Sequence, residues 1–334
     1  MSSRSLQFSV VEQVWPLKQP FRISRGSRTE MRALVLALSD GEHTGRGEGV
    51  PSKRYNEDNA SATAALQKVC AHLPPDSTPQ QIQELLPPSA ARNALDCALW
   101  DLQAKRSGKR VWELANITVS DAPDAALTAF TISLNPPKKM GEDAAANSTA
   151  PLLKLKLGGD NDDLPRVAAV RQAAPEARII IDANESWSAP HYREIVPHLE
   201  KLGVELVEQP FPEAEDSVLK DLEHPIPVYA DESCHTSADV ERLKPLYEGV
   251  NVKLDKTGGL TEALLLTKRA REAGLGILVG CMVGSSLGMA PARLLASQAD
   301  YLDLDGPLLF VRDQPHGLTY TRNNIGLPDR ELWG

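Results

Sequence analysis

Three carboxylates punctuate the middle of this 334-residue chain at a near-constant interval, each closing a short apolar run. Asp182 ends Ile179-Ile180-Ile181, Glu208 ends Val204-Glu205-Leu206-Val207, and Asp231 follows Val228-Tyr229-Ala230. Lysines flank the series, in Lys154-Leu155-Lys156 before it and Asn251-Val252-Lys253 after it. The steps from Lys156 through Asp182, Glu208 and Asp231 to Lys253 are 26, 26, 23 and 22 residues, each about one strand–helix repeat. Strands repeated in that way run parallel. If their sheet closes, all of these polar groups arrive at one mouth.

The surrounding pattern predicts such closure. Eight β-rich runs, 127–133, 152–157, 178–182, 204–208, 227–230, 250–254, 275–280 and 301–305, are separated by segments of helix-former composition such as 163–174, 191–202, 238–247 and 260–273. An open doubly wound sheet is the rival architecture, but it gathers its site at one switch point, whereas here polar groups end many successive strands. Upstream, 6–14 and 31–39 read as antiparallel strands separated by a polar loop from Arg22 to Glu30, and Gly45-Arg46-Gly47-Glu48-Gly49 reads as a second turn. Helical periodicity over 59–73 and 89–105, stopped by Gly108, completes a small α+β unit. The expected α/β organisation is a capping domain over 1–120, completed by a returning segment 307–334, and a modified (β/α)7β TIM barrel over 121–306.

Composition narrows the function classes. A net charge of −9, from 36 basic and 45 acidic side chains, gives no footprint for nucleic acid or an anionic membrane. No run approaches the roughly 20 apolar residues that span a bilayer, and no signal peptide is evident, so a cytoplasmic enzyme of small molecules is expected. Oligomeric state, a homo-oligomer included, stays open. Cys70, Cys97, Cys234 and Cys281 lack CxxC spacing, and the histidines form neither HxH nor HExxH, which disfavours disulfides and zinc. Buried free thiols are expected.

Lys154 and Lys156 lie two apart in a strand and share a face, which is costly inside a barrel; an exposed edge would be the ordinary explanation. Their place in the repeat argues for a functional pair. Repulsion between neighbouring ammoniums and a metal dication would favour the neutral amine of a side chain with an ordinary pKa of about 10.4. Asp182, Glu208 or Asp231 alone could be a helix cap; together they would repel one another unless a cation sat between them, and all-oxygen ligands point to Mg2+. Asp303 and Asp305, in Tyr301-Leu302-Asp303-Leu304-Asp305-Gly306, share a face of the last run.

Lys154-x-Lys156, Asp182-Ala183-Asn184, Val207-Glu208-Gln209-Pro210, Ala230-Asp231-Glu232-Ser233 and Asn251-x-Lys253 together resemble the signature set of the enolase superfamily, and within it the dipeptide epimerases of the muconate lactonizing subgroup. The resemblance extends to Ala94-Leu95-Asp96-Cys97-Ala98-Leu99-Trp100-Asp101-Leu102 in the capping region. It implies Mg2+ held by Asp182, Glu208 and Asp231, an acid/base pair of Lys156 and Lys253 on opposite faces of the substrate, and Lys154 tuning Lys156. Asp303 and Asp305 would hold the substrate's N-terminal ammonium. In the loop Arg22-Ile23-Ser24-Arg25-Gly26-Ser27-Arg28, Arg25 or Arg28 would pair with the distal carboxylate of glutamate.

The implied reaction is 1,1-proton transfer at the α-carbon of the C-terminal residue of a dipeptide, with L-Ala-D/L-Glu in bacterial cell-wall (murein) peptide recycling as the expected substrate. Alternatives are an o-succinylbenzoate synthase or muconate cycloisomerase-type lyase of the same superfamily, which has no need of an ammonium clamp; an aldolase using Lys156 as a Schiff base; and a metal-dependent binding protein without catalysis.

Overall fold

The computed structural model describes residues 6–122 and 125–334; the first five residues of the expected cap lie outside it. A long antiparallel hairpin opens the chain. Strand β1 (Gln7–Ile23) pairs with β2 (Gly26–Ser39), and β3 (Thr44–Gly49) adds to β2. The stretch from Arg22 to Glu30 is therefore not a loop. Phe21 pairs with Arg28, Arg22 with Ser27 and Ile23 with Gly26, so the ladder runs to a tip at Ser24 and Arg25. Its polar side chains reflect a ribbon exposed to water, and backbone pairing needs no apolar side chain to persist.

The glycine-rich run from Gly45 is also no turn. It lies within β3, and a Cβ on Gly45, Gly47 or Gly49 would stand 2.2, 2.1 or 2.2 Å from the carbonyl oxygens of Ala98, Ala94 and Ala90. Every second strand residue thus meets every fourth residue of the helix packed on it. The glycines let β3 touch the backbone of α2 (Ala90–Ser107), which follows α1 (Asn59–Cys70). Helix α2 is capped by Ser89, whose hydroxyl accepts from Arg92 N, and ends at Gly108 with φ +71°.

Eight parallel strands follow: β4 (Phe130–Ile132), β5 (Leu152–Lys156), β6 (Arg178–Asp182), β7 (Val204–Glu208), β8 (Val228–Ala230), β9 (Gly249–Lys253), β10 (Gly276–Gly280) and β11 (Tyr301–Asp303), each bonded to the next. A bridge between Thr128 and Leu302, with Ala129 N donating to Leu302 O at 2.8 Å, brings the two ends together, so the sheet closes as expected. The connection expected to be helical over 238–247 is mostly not: a 3-10 turn leads into the short helix Val240–Leu243.

Strand alternation sorts the side chains. Ala129, Leu152, Ile180, Leu206, Tyr229 and Leu278 pack together in one inner cluster, while Leu153, Leu155, Ile179, Ile181 and Val207 join the larger core outside the sheet. One step further along the inner face stand Lys154, Asp182 and Glu208, and two steps along β5 stands Lys156. The tail returns to the cap: Trp333 Nε1 donates to Cys97 O at 3.0 Å and Gly334 N to Asp101 Oδ1 at 2.7 Å.

Cap and barrel are fastened by buried polar groups. Glu48 accepts from Ser285 N at 2.8 Å and from the Ser285 hydroxyl. Asp255 Oδ1 accepts from Val50 N and Asn93 Nδ2, and Arg92 donates to the carbonyls of Thr257 and Gly258. The contacts to Asp255, Thr257 and Gly258 hold the segment that directly follows Lys253, the last residue of β9.

Candidate active site

The inner face of β5 ends on Lys156, paired in register with Asp182 of β6, which is in turn paired with Glu208 of β7. One oxygen from each of Asp182, Glu208 and Asp231 lies within 4.8 Å of the others, and all three residues are buried. Lysines bracket them. Lys156 Nζ is 2.5 Å from Asp182 Oδ2, and Lys253 Nζ is 2.6 Å from Asp231 Oδ2 and 4.0 Å from Glu208 Oε1. The order around the mouth is lysine, three carboxylates, lysine.

Lys154 is wholly buried and touches Glu208 at 2.5 Å, Asp303 at 2.7 Å and Asp182 at 3.5 Å. Repulsion between ammoniums is not what governs it here. Burial disfavours its charge, but the carboxylates of Asp303, Glu208 and Asp182 outweigh burial and hold it well above the usual lysine range. Burial likewise opposes the Lys253 ammonium, and Asp231 and Glu208 raise it above its ordinary value. Asp182 is buried yet brought down to about 2 by Lys156 and Lys154, while burial and the Asp182 charge push Glu208 up to about 7.

Several acceptors around the trio have no donor. Asn184 Oδ1, Asn251 Oδ1 and Glu232 Oε2 are buried without a hydrogen bond among the described residues, and Glu208 Oε2 accepts no well-directed one despite its closeness to Lys154. A cluster of unpaired buried oxygens is costly unless something positive meets it. With neither His nor Cys in the set, the oxygens suit a hard divalent cation.

The turns that carry these groups are bent. Asn184, Glu185 and Gln209 all have positive φ, at 44°, 64° and 35°. Gln209 secures two strand ends at once: its Oε1 accepts from Asp231 N and Ser233 N, and its Nε2 donates to Phe211 O and Ser233 Oγ. Asp216 and Tyr247 back this amide from behind.

Asp303 and Asp305 both line the cavity and share a partner. Asp305 accepts from Thr131 N at 2.6 Å, and Asp303 from the Thr131 hydroxyl at 3.4 Å. Burial and the Asp303 charge push Asp305 up to about 7; Lys154 keeps Asp303 below its ordinary value in spite of burial.

The cavity above the mouth measures about 490 Å³ and is roofed by the hairpin tip and the loop around Tyr55. Arg25 and Arg28 both line it, but differently. Arg25 donates to Glu232 Oε1 at 2.6 Å, to Glu185 Oε2 at 3.0 Å and to Asn184 O at 2.9 Å, whereas the Arg28 guanidinium makes no hydrogen bond among the described residues.

Sequence reasoning missed four further side chains. Lys256 is buried and spends its ammonium on Asp231 Oδ1 at 2.7 Å, Asp231 O and Asn251 O. Its signal was a second lysine three residues after Lys253, just before Gly258-Gly259. Tyr55, Lys53 and Arg54 come from the cap loop, where no periodicity marks them. Cys281 lines the cavity, but burial raises its thiol far above the usual range, which leaves no nucleophile.

A closed parallel barrel whose strand ends set lysines on either side of three carboxylates, with a cap over the mouth, defines a class of acid/base enzymes. The chain belongs to one family of that class: residues 5–115 match the mandelate racemase / muconate lactonizing enzyme N-terminal domain, and residues 139–313 match the enolase C-terminal domain-like family. It is 43% identical to the L-Ala-D/L-Glu epimerase of Escherichia coli over 95% of this chain and 98% of that one. It is 44% identical to an N-acetyl-D-glutamate racemase from Pseudoalteromonas over 90% of this chain and 95% of the other. Among solved structures, an enolase family member from Agrobacterium tumefaciens with bound sodium and L-Ala-L-Glu superposes with TM-score 0.92 at 44% identity, covering 98% of this chain and all of that one. A dipeptide epimerase from Cytophaga hutchinsonii, complexed with Mg and D-Ala-L-Val, gives 0.90 at 27% identity over 97% and 93%.

Proposed function

We propose that the protein is an Mg2+-dependent dipeptide epimerase that interconverts L-Ala-L-Glu and L-Ala-D-Glu. The observation that carries this reading is the bracket: Lys156 and Lys253 stand at the two ends of the Asp182–Glu208–Asp231 group, 2.5 and 2.6 Å from its outer members. Asp182, Glu208 and Asp231 would hold the ion, which when bound supplies positive charge against the negative charge developing on the substrate carboxylate. Lys156 takes the α-proton from one face of the substrate while Lys253 delivers one to the other, which inverts the carbon; the roles exchange in the reverse direction. Lys154, held between Glu208 and Asp303, fixes the charge behind Lys156 and positions Asp303. Asp303 and Asp305 would receive the substrate's amino end.

In this reading residues 1–120 and 307–334 form the cap that shapes the side-chain pocket, and 121–306 the barrel that carries the chemistry. Among the described residues no helix is long and apolar enough to cross a membrane. A cytoplasmic place in cell-wall peptide recycling fits the substrate.

A second reading, racemisation of an N-acylated glutamate, is supported by the amino-end pocket: Asp303 is already paired with Lys154, and Asp305 titrates near neutrality. An acyl group in place of the ammonium meets little unpaired negative charge there. Solvent deuterium appearance at the glutamyl α-carbon separates the readings. Rapid exchange of L-Ala-L-Glu with slow exchange of N-acetyl-L-glutamate supports the dipeptide; the reverse order supports the acyl substrate, and exchange of neither removes both.

A further inference from the structure

Lys156 is the last residue of β5, and the chain leaves the barrel one residue later through Gly158 and Gly159. A glycine pair at a strand end invites fraying, because neither residue restricts its own backbone. Both amides are tied to one side chain. Gly158 N donates to Asp163 Oδ1 at 2.9 Å and Gly159 N to Asp163 Oδ2 at 2.8 Å. Two more donors complete that carboxylate, Arg166 Nη1 on Oδ1 at 2.7 Å and Trp187 Nε1 on Oδ2 at 3.0 Å, and His191 Nε2 stands 3.4 Å from Oδ2. Four hydrogen bonds thus converge on Asp163, which is fully buried and does not line the cavity.

The donors come from different loops. Gly158 and Gly159 follow β5, Trp187 belongs to the bent turn after β6, and Arg166 also donates through Nε to Asn135 O, beyond β4, at 3.0 Å. The loops after β5 and β6 meet backbone to backbone as well, since a Cβ on Gly159, whose φ is +75°, would stand 2.2 Å from Ser186 O. Asp163 and Arg166 therefore clamp the exits of three neighbouring strands, with Lys156 at the end of the middle one. Lys253 is anchored separately, through Asp255, Thr257 and Gly258 against the cap, and none of those contacts involves Asp163. We infer that Asp163 is a positioning residue for Lys156: it holds the end of β5 so that the Lys156 amine keeps its place beside the carboxylate group, 2.5 Å from Asp182 Oδ2. The inference rests on the epimerase reading and deepens it, because each lysine then depends on an anchor of its own. A displacement of about 1 Å at a reacting group can cost roughly 100-fold in rate, so an anchor outside the cavity still matters to the chemistry.

The test follows turnover of L-Ala-L-Glu and L-Ala-D-Glu, each with and without deuterium at the glutamyl α-carbon, in the Mg2+-loaded protein. Asp163→Asn keeps the shape of the side chain but turns one acceptor into a donor, so part of the clamp meets donor with donor. Its kcat falls about 10- to 100-fold, while KM and the affinity for Mn2+, read by electron paramagnetic resonance, stay within about threefold of wild type. Only the transfers to and from Lys156 slow. The α-deuterium isotope effect on kcat therefore grows for the epimer whose hydrogen faces Lys156 and shrinks for the other, a split that general loosening of the fold would not produce. Trp187→Phe keeps a ring and removes a single donor; it shows the same split with a smaller loss, and it decides the question alone if Asp163→Asn does not fold. Isotope effects that change alike for both epimers, a kcat within about threefold of wild type in both variants, or Mn2+ affinity lost in step with kcat overturns the inference. A wild-type protein that epimerises neither dipeptide overturns instead the reaction on which it rests.

Discussion

The two ends of the barrel interior are made by the same strands and do opposite things. At the floor, Leu152, Ile180, Leu206 and Leu278 fill the space with apolar volume; two to four residues further on, Lys156, Asp182 and Glu208 bring charge to the mouth, with Gly280 ending the strand beside them. Gly280 is small for a reason, since a Cβ there would meet the Asn251 amide at 2.6 Å, and that amide donates to Glu208. The floor fixes where the strands are, and the mouth exploits that placement with groups that would be costly anywhere else. Function and stability should therefore separate cleanly along each strand.

The largest expected effect is at the mouth. Chelating Mg2+ should abolish α-deuterium exchange and restoring it should recover the rate, because without the cation the buried carboxylates face only one another and the lysines. Lys156→Ala and Lys253→Ala should each reduce kcat by about 100- to 10,000-fold, the usual loss for a general acid/base. The unfolding midpoint in urea with Mg2+ present should move little. Exchange that survives in either variant would mean that the bracket of lysines is not the acid/base pair.

At the floor the result should invert. Ile180 is fully buried, and Ile180→Ala should cost about 2–5 kcal/mol in urea unfolding while kcat stays within several-fold of wild type. A large kcat loss at native stability would show that floor packing reaches the reacting groups, and the two ends would no longer be separable.

Most of this division was written in period two. Once β5 is a barrel strand, Lys154 and Lys156 must share the inner face with Leu152, and the spacing from Lys156 to Asp182 and Glu208 puts them on neighbouring strands. What stayed hidden lacks a period. Lys53 and Arg54 lie in a cap loop whose position over the cavity depends on long-range docking, such as Val50 N on Asp255. Gly45, Gly47 and Gly49 read locally as a turn because the helix that demands them lies some 45 residues further along the chain. The partners of Arg25, Glu185 and Glu232, are 160 and 207 residues away, so no local pattern shows that this arginine is tied to carboxylates of the barrel.

The cap offers a smaller test. Gly47→Ala would press a methyl to 2.1 Å from Ala94 O, and since both sides are backbone, β3 must move off α2. About 1–3 kcal/mol of stability should be lost. Because Glu48 next to it holds Ser285 of the barrel, KM should rise as well. A variant as stable as wild type would mean that the close approach of β3 and α2 is not required.

The smallest effect concerns the fastening itself. Burial pushes Glu48 up to about 7, with the charges of Asp255 and Asp313 adding to it against the hydrogen bonds from Ser285. Between its ordinary value near 4.5 and about 7 the folded protein keeps a proton that the unfolded chain has released, so stability from this group is present at low pH and declines as pH rises through that window. Asp255, at about 6, and Asp96, at about 7, lean the same way for the same reason, burial between cap and barrel. Glu48→Gln removes one of these titrations and leaves the others. Its urea midpoint should therefore fall less steeply than that of wild type between pH 5 and pH 7, and the two slopes should become parallel above that range. Equal slopes throughout would mean that Glu48 is ionised at both ends of the window, and that the cap is held to the barrel by a charged carboxylate rather than a shared proton.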